Sequence, residues 1–219
     1  MSIDKIKQLY LDKDIQYFSL EREIFKSEIT NNNLNILDVG CGTGSLGSFF
    51  ISNQNCTVHG FEINSNIIDL ARENLTSVVE GNIEIDPIPF ENRSFDYIIL
   101  GDVLEHLINP IQTLQKLKKY LRKDGVLLVT TPNIKHWSVT YNLIFKDNWE
   151  YKEWGILDYS HLRFFTKKSL MDLLRKNQIN NIKIERIIQN PSKSYIINKL
   201  TFSFFEGFLA SHLLLKIKN

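Results

Sequence analysis

Cysteine is scarce in this chain of 219 residues, which has only Cys41 and Cys56. Two thiols make neither a disulfide framework nor a metal-ligand cluster, so the expected setting is a reducing cytoplasm, with no metal site. Five prolines and ten glycines exclude a low-complexity chain. Neither sign of charge is in excess. Lys and Arg number 26 against 25 Asp and Glu, a formal net charge of +1. Bulk electrostatics therefore do not draw the chain to nucleic acid or to an anionic membrane. The local basic cluster "KLKKYLRK" at 116–123 has its leucines at helical spacing and reads as a solvated helix face. An uninterrupted apolar run of roughly 20 residues, the length a bilayer requires, is also missing. The most apolar late stretch, "YIINKLTFSFFEGFLASHLLLKIK", holds Lys199, Glu206 and His212 and reads as a buried helix and strand, without stable membrane insertion. The start, "MSIDKIKQLYLDKD", is charged throughout and lacks the apolar core of a secretory signal.

What is present is alternation. Residues 1–30 have apolar positions three to four apart and read as an N-terminal helical region. "LNILDV" and "CTVHGFE" read as strands separated by a helix beginning at "SLGSFFIS". "NSNIIDLAREN" is a helix capped by Asn64 or Ser65. Three more strands follow, "SVVEGN", "SFDYIIL" and "DGVLLVTT", and Asn109–Pro110 opens a helix that should run to about Arg122. Strands and helices alternating at this spacing predict an α/β fold with a doubly wound, mostly parallel sheet. Residues 134–164 hold all three tryptophans without a clean period. They follow a central strand at its carboxyl end, where such sheets place their ligands, and read as a cap over a substrate site. Thr166 then caps a helix through Asn177, "NIKIERII" is a strand, 194–209 a helix, and "SHLLLKIK" a closing strand. A single domain, 1–219, accounts for the whole.

The stretch "ILDVGCGTGSLG" at 36–47 carries the first chemistry. Glycines at a strand-to-helix turn let a ligand approach the backbone. From Gly42 to Gly47 the letters also fit G-x-G-x-x-G, which would hold a dinucleotide by its pyrophosphate at the helix N-terminus. Asp38, two residues before Gly40, argues against phosphate and for a ligand with a positive group. Gly47 then serves close helix–sheet packing. Glu62 ends the second strand about 20 residues beyond the glycines, where an acid accepts hydrogen bonds from ribose hydroxyls. It fits NAD and any other adenosine cofactor alike.

Taken together, "ILDVGCGTG", "GFEIN", "PFENRSFDYIIL", "GDVLEHL" and "LRKDGVLLVTTPN" resemble the class I S-adenosylmethionine-dependent methyltransferases, in order and spacing, from about residue 34 to 133. The resemblance implies a Rossmann-like seven-stranded sheet with an antiparallel last strand. It implies S-adenosylmethionine as cofactor, S-adenosylhomocysteine as product, and a cofactor with a sulfonium and an ammonium and no phosphate. Carried over by position, Asp38 lies near the methionine ammonium, and Gly40, Cys41 and Gly42 form the loop that the backbone approach requires. Glu62 takes the ribose, and Ile63 the adenine face. Asn82, beside Ile83, stands where the family usually has an aspartate contacting the adenine amino group. Gly101 and Asp102 border the methionine and sulfonium. From the N-terminal region, Tyr17 and Arg22 are candidates to close the pocket.

The acceptor side is less defined. A hydroxyl acceptor is helped by a base, and histidine suits neutral pH. His106, in "DVLEH", has a structural and a catalytic reading. His161 and Arg163, in "SHLRFFTKKSL", resemble the H-x-R-x-F-T tail of small-molecule methyltransferases of quinone pathways and surface polysaccharides, which implies substrate contact. "GDVLEH" replaces the N-P-P-Y-like turn of family members that methylate nucleobase amino groups. The expected acceptor is a small molecule, at oxygen. Two other readings stand beside this one, an NAD-dependent oxidoreductase and a non-catalytic cofactor-binding module.

Overall fold

The computed structural model describes Gln8, Lys13, residues 23–188 and residues 192–219. Tyr17 and Arg22, the candidates from the N-terminal region, lie outside the described residues, as does most of the helical region expected over 1–30. Seven strands form one sheet in the order β3-β2-β1-β4-β5-β7-β6. They are β1 (Asn35–Val39), β2 (Thr57–Glu62), β3 (Ser77–Glu80), β4 (Phe95–Gly101), β5 (Leu121–Pro132), β6 (Ile182–Ile187) and β7 (His212–Lys218). The pairings from β3 to β5 are all parallel, and β7 runs antiparallel to both β5 and β6. This is the doubly wound sheet with an antiparallel last strand that the sequence predicts.

The central strands are apolar at consecutive positions because both faces are covered. In β4, Ile98 and Leu100 enter one core and Ile99 the other; in β5, Leu127 and Val129 oppose Leu128 in the same way. One face is covered by α1 (Glu23–Glu28), α2 (Ser45–Gln54) and α3 (Ile68–Asn74), through Phe25, Leu46, Phe50 and Ala71. The other is covered by α4 (Pro110–Lys118) and α6 (Lys167–Lys176), through Leu114, Leu117, Leu170 and Leu174. Such two-sided burial is characteristic of parallel sheets.

Local signals place several ends correctly. Thr166 and Ser169 form a reciprocal capping box at the start of α6. Asn64 Oδ1 accepts from the Asn66 N–H at a 3-10 turn before α3. Three expectations need correction. The helix expected to reach Arg122 stops at Lys118, because Leu121 is already paired with Phe95 in the sheet. The aperiodic 134–164 contains a helix, α5 (Trp137–Lys146), capped by His136. The late helix over 194–209 is two pieces, α7 (Lys193–Leu200) and α8 (Glu206–Leu209), and neither buries a residue. Only the β7 part of that apolar stretch is core, through Leu213, Leu214, Leu215 and Ile217. Among the described residues no helix is long and apolar enough to cross a membrane.

Candidate functional site

Strand order reverses between β1 and β4, and a cleft of about 990 Å³ opens at the carboxyl ends of the strands there. That is where open α/β sheets bind ligands. Its lining includes Asp38, Gly40, Cys41 and Gly42 from the end of β1, Glu62 and Ile63 from β2, Asn82 and Ile83 after β3, and Gly101, Asp102 and His106 after β4. The structure thus brings together eleven of the residues singled out in the sequence. His161 and Arg163 are not among the lining residues.

The glycine loop is held tightly. Gly40 has φ +71°, and a Cβ there would come within 2.6 Å of Val103 Cγ2. The Gly40 N–H donates to the Phe61 carbonyl at 2.7 Å, tying the loop to β2. Gly47, the last letter of the apparent dinucleotide fingerprint, faces the interior. A Cβ on it would collide with Leu75 and lie 2.9 Å from Val58 Cγ1. Its absence lets α2 lie against β2, the packing role expected from the sequence.

Glu62 is buried, and burial raises its carboxyl pKa despite three hydrogen bonds that favour the charged form. Oε2 accepts from the Gly42 N–H, and Oε1 from the N–H groups of Ile63 and Asn64, each at 2.9 Å. A carboxylate offers about four lone-pair sites, so one acceptor position on Oε2 remains for a ligand hydroxyl. Cys41 is buried beside it. Burial, then the charges of Glu62 and Asp38, push its thiol well above the ordinary value. Asn82 anchors its own turn, with Oδ1 accepting from the Glu84 N–H at 2.9 Å and its backbone N–H donating to Asp86 Oδ2 at 2.7 Å. One lone pair of its amide oxygen stays available.

Four lining groups are carboxylates, Asp38, Glu62, Glu84 and Asp102, and no described lining residue is a lysine or arginine. Among the described lining residues a pyrophosphate finds no counter-charge, and a cation finds several carboxylates. The residues fit a cationic adenosine cofactor with free ribose hydroxyls. Asp102 stands at a bend, with φ +54°. Its N–H donates to Thr130 Oγ1 at 3.1 Å, and its Oδ2 lies 3.6 Å from His212 Nε2 on β7.

Beyond β4, the return segment 160–163 is stitched to 105–108. The N–H groups of Leu162 and Arg163 donate to the Glu105 carbonyl at 2.9 and 3.1 Å. The Arg163 guanidinium donates to the carbonyls of Leu107, at 3.1 Å, and Ile108. His106 Nδ1 bonds the Ser160 carbonyl at 3.2 Å, and His161 Nδ1 the Ile156 carbonyl at 3.1 Å. The two rings meet edge to face with centroids 4.6 Å apart, and His161 Nε2 lies 3.8 Å from Glu105 Oε1. Ligand atoms of Glu105, His106 and His161 fall within 4.8 Å of one another, a donor set able to hold a metal ion. Burial, reinforced by the neighbouring His161, lowers His106 to about 3, and burial lowers His161 as well.

The sequence reading missed Phe25, Phe61 and Glu84 among the lining residues. Phe25 carried only a helical-spacing signal. Glu84 caps the start of α4 by accepting from the N–H groups of Ile108 and Asn109, at 3.0 and 2.6 Å. Nothing local in the sequence marks that long-range cap.

Comparison with known proteins identifies the family. A family model described as a methyltransferase domain matches residues 5–184, and the chain belongs to that family, with the class I S-adenosylmethionine-dependent fold. It is 27% identical over 135 residues to a demethylmenaquinone methyltransferase of Listeria monocytogenes, covering 57% of each chain. It is 30% identical over 132 residues to a tRNA U34 carboxymethyltransferase of Nautilia profundicola, covering 58% of this chain and 43% of that one. The chain thus spans little more than half the length of the first relative and less than half of the second. Among solved structures, an S-adenosylmethionine-dependent methyltransferase of Archaeoglobus fulgidus superposes with TM-score 0.63 at 14% identity, over 100% of both chains, a likeness of fold.

Proposed function

We propose that this protein binds S-adenosylmethionine in the β1–β4 cleft and transfers its methyl group to a small-molecule acceptor at a hydroxyl oxygen. The observation that carries the reading is the charge of the cleft, which has four carboxylates and no described basic group in its lining. When bound, the cofactor supplies an electrophilic methyl on a sulfonium. Asp38 would hold the ammonium, the remaining acceptor position on Glu62 a ribose hydroxyl, and Ile63 and Asn82 the adenine. His106, neutral and buried at the cleft with Nδ1 on the Ser160 carbonyl, would stand beside the acceptor hydroxyl. His161 and Arg163 support that wall through Ile156, Leu107 and Ile108. The segment 134–164 is proposed as the cap over the acceptor. The name of the Listeria relative favours a quinone-type acceptor.

The name of the Nautilia relative favours tRNA instead, and the near-balanced charge of this chain weighs against it. The test is calorimetry with S-adenosylhomocysteine, followed by mass-spectrometric turnover assays on quinols, phenols, nucleotide sugars and bulk tRNA. Specific binding, methylated hydroxyl product and an inert tRNA lane are expected. Absent binding, or product with tRNA alone, refutes the proposal.

A further inference from the structure

Segment 192–209 presents apolar side chains to solvent at the ligand-binding edge of the sheet. Phe202 is 95% exposed, Phe204 82% and Leu200 72%, with Tyr195, Ile196 and Ile197 also exposed along α7. The turn that projects the phenylalanines is strained, with φ +49° at Phe202 and +62° at Ser203. A bulky residue with positive φ is an outlier that the surroundings must maintain, and such strain collects at functional positions. Charge from Ser192 to Phe205 has one sign. From 192 to 205 the only ionisable side chains besides Tyr195 are Lys193 and Lys199, both exposed. Glu206, which follows, is engaged by Arg186 at 2.7 Å. Lys135 adds a further cation, 4.4 Å over the Phe208 ring.

We propose that this segment docks on an anionic lipid bilayer, with the Phe202–Phe205 turn and the apolar side chains of α7 entering the headgroup boundary and Lys193 and Lys199 against the lipid phosphates. Aromatic rings beside lysines, on an element too short to span, are the chemistry of an interfacial anchor. A second copy of the chain fits less well, because a two-fold contact would bring the lysines of both copies onto one apolar patch. The segment is fixed to the catalytic edge. Asn133, just beyond β5, donates to the carbonyls of Gly207 and Ala210 at 3.0 and 2.8 Å, and β7 then begins at His212 beside Asp102. On the methyltransferase reading above, the acceptor would be an amphiphile taken from that bilayer, whereas docking itself does not depend on that reading.

The test is co-sedimentation of the full chain with vesicles of phosphatidylcholine alone and with about one-third phosphatidylglycerol. S-adenosylhomocysteine calorimetry and a thermal melt are run on each variant as fold controls. Binding to the anionic vesicles is expected, weakened about tenfold by Phe202→Ser/Phe204→Ser and weakened on anionic vesicles only by Lys193→Gln/Lys199→Gln, with melts unchanged. Equal sedimentation of wild type and the phenylalanine variant, or none, overturns docking. So does a dimer in sedimentation velocity that the phenylalanine variant abolishes. Vesicle binding without S-adenosylhomocysteine binding leaves docking standing and removes the cofactor reading alone.

Discussion

Glu62→Gln tests the cofactor site and its scaffold at once. The carboxylate receives three backbone N–H groups, from Gly42, Ile63 and Asn64. Glutamine keeps the shape but has one acceptor oxygen. If that oxygen stays with Ile63 and Asn64, the amide NH₂ faces the Gly42 N–H, donor against donor. An unsatisfied buried donor costs about 1–3 kcal/mol. In a chain of this size each kcal/mol lowers Tm by roughly 2–4 °C, readable by calorimetric melting. A hydrogen bond from a ribose hydroxyl to a charged acceptor is worth about 1.5–3 kcal/mol. The Kd for S-adenosylhomocysteine should therefore rise by about tenfold to a hundredfold in isothermal titration. NADH titrated into the wild type should give a flat trace, since no described lining group would neutralise its pyrophosphate. A variant with unchanged Tm and a Kd within about twofold of wild type would refute both the ribose role and the bracing of the loop.

Three further perturbations follow from the same geometry. Gly47→Ala should destabilise by about 1–3 kcal/mol in urea unfolding, since the new methyl meets Leu75 and Val58; a loss below about half a kcal/mol would count against the close packing of α2 on β2. Cys41, whose thiol is raised well above its ordinary value by burial and then by Glu62 and Asp38, stays protonated as pH rises through the normal cysteine range. Iodoacetamide at about pH 8 should leave it unlabelled in peptide mass spectrometry of the native protein, and rapid labelling would contradict the buried, anionic setting. Asp158→Ala should cost about 1–3 kcal/mol in thermal unfolding. It removes one partner of Lys13 Nζ, at 2.6 Å, and the acceptor of the Ser160 N–H and hydroxyl. A near-neutral result would show that the Lys13–Asp158 pair is not formed.

The sheet was legible because its signals are local and repeated. Glycines mark the end of β1, apolar runs mark strands buried on both faces, and Thr166 and Asn109 mark helix starts. The lining of the cleft was legible for the same reason, since Asp38, Glu62, Asn82 and Asp102 all stand at strand ends, where topology alone brings them together. Prediction failed where a tertiary contact overrode a local pattern. The lysine-rich helix ends early because Leu121 pairs with Phe95. The 194–209 stretch has core-like composition yet buries nothing in α7 or α8, because composition does not say whether an apolar face finds a partner within the same chain. Arg163 shows the opposite limit, for its motif gave it a place beside the acceptor, and the structure engages its guanidinium with the carbonyls of Leu107 and Ile108.

The acceptor end also constrains how the proposed reaction can proceed. Burial and the neighbouring His161 hold His106 well below the ordinary histidine value, which disfavours its taking a proton at neutral pH. Proton removal by His106 therefore contributes little, and the barrier must fall mainly through alignment, which can supply several kcal/mol when the reacting atoms are held in line. Alignment needs a rigid wall. The network from Ser160 to Arg163 provides one by holding the main chain of 105–108 through two N–H groups and two guanidinium contacts, and the ring of His106 through the Ser160 carbonyl. Two sequence motifs fifty residues apart, "GDVLEH" and "SHLRFF", meet in that wall. The histidine in the first is held in place by the backbone of the second, so on the proposed reaction the rigidity that alignment requires comes from the return segment 160–163.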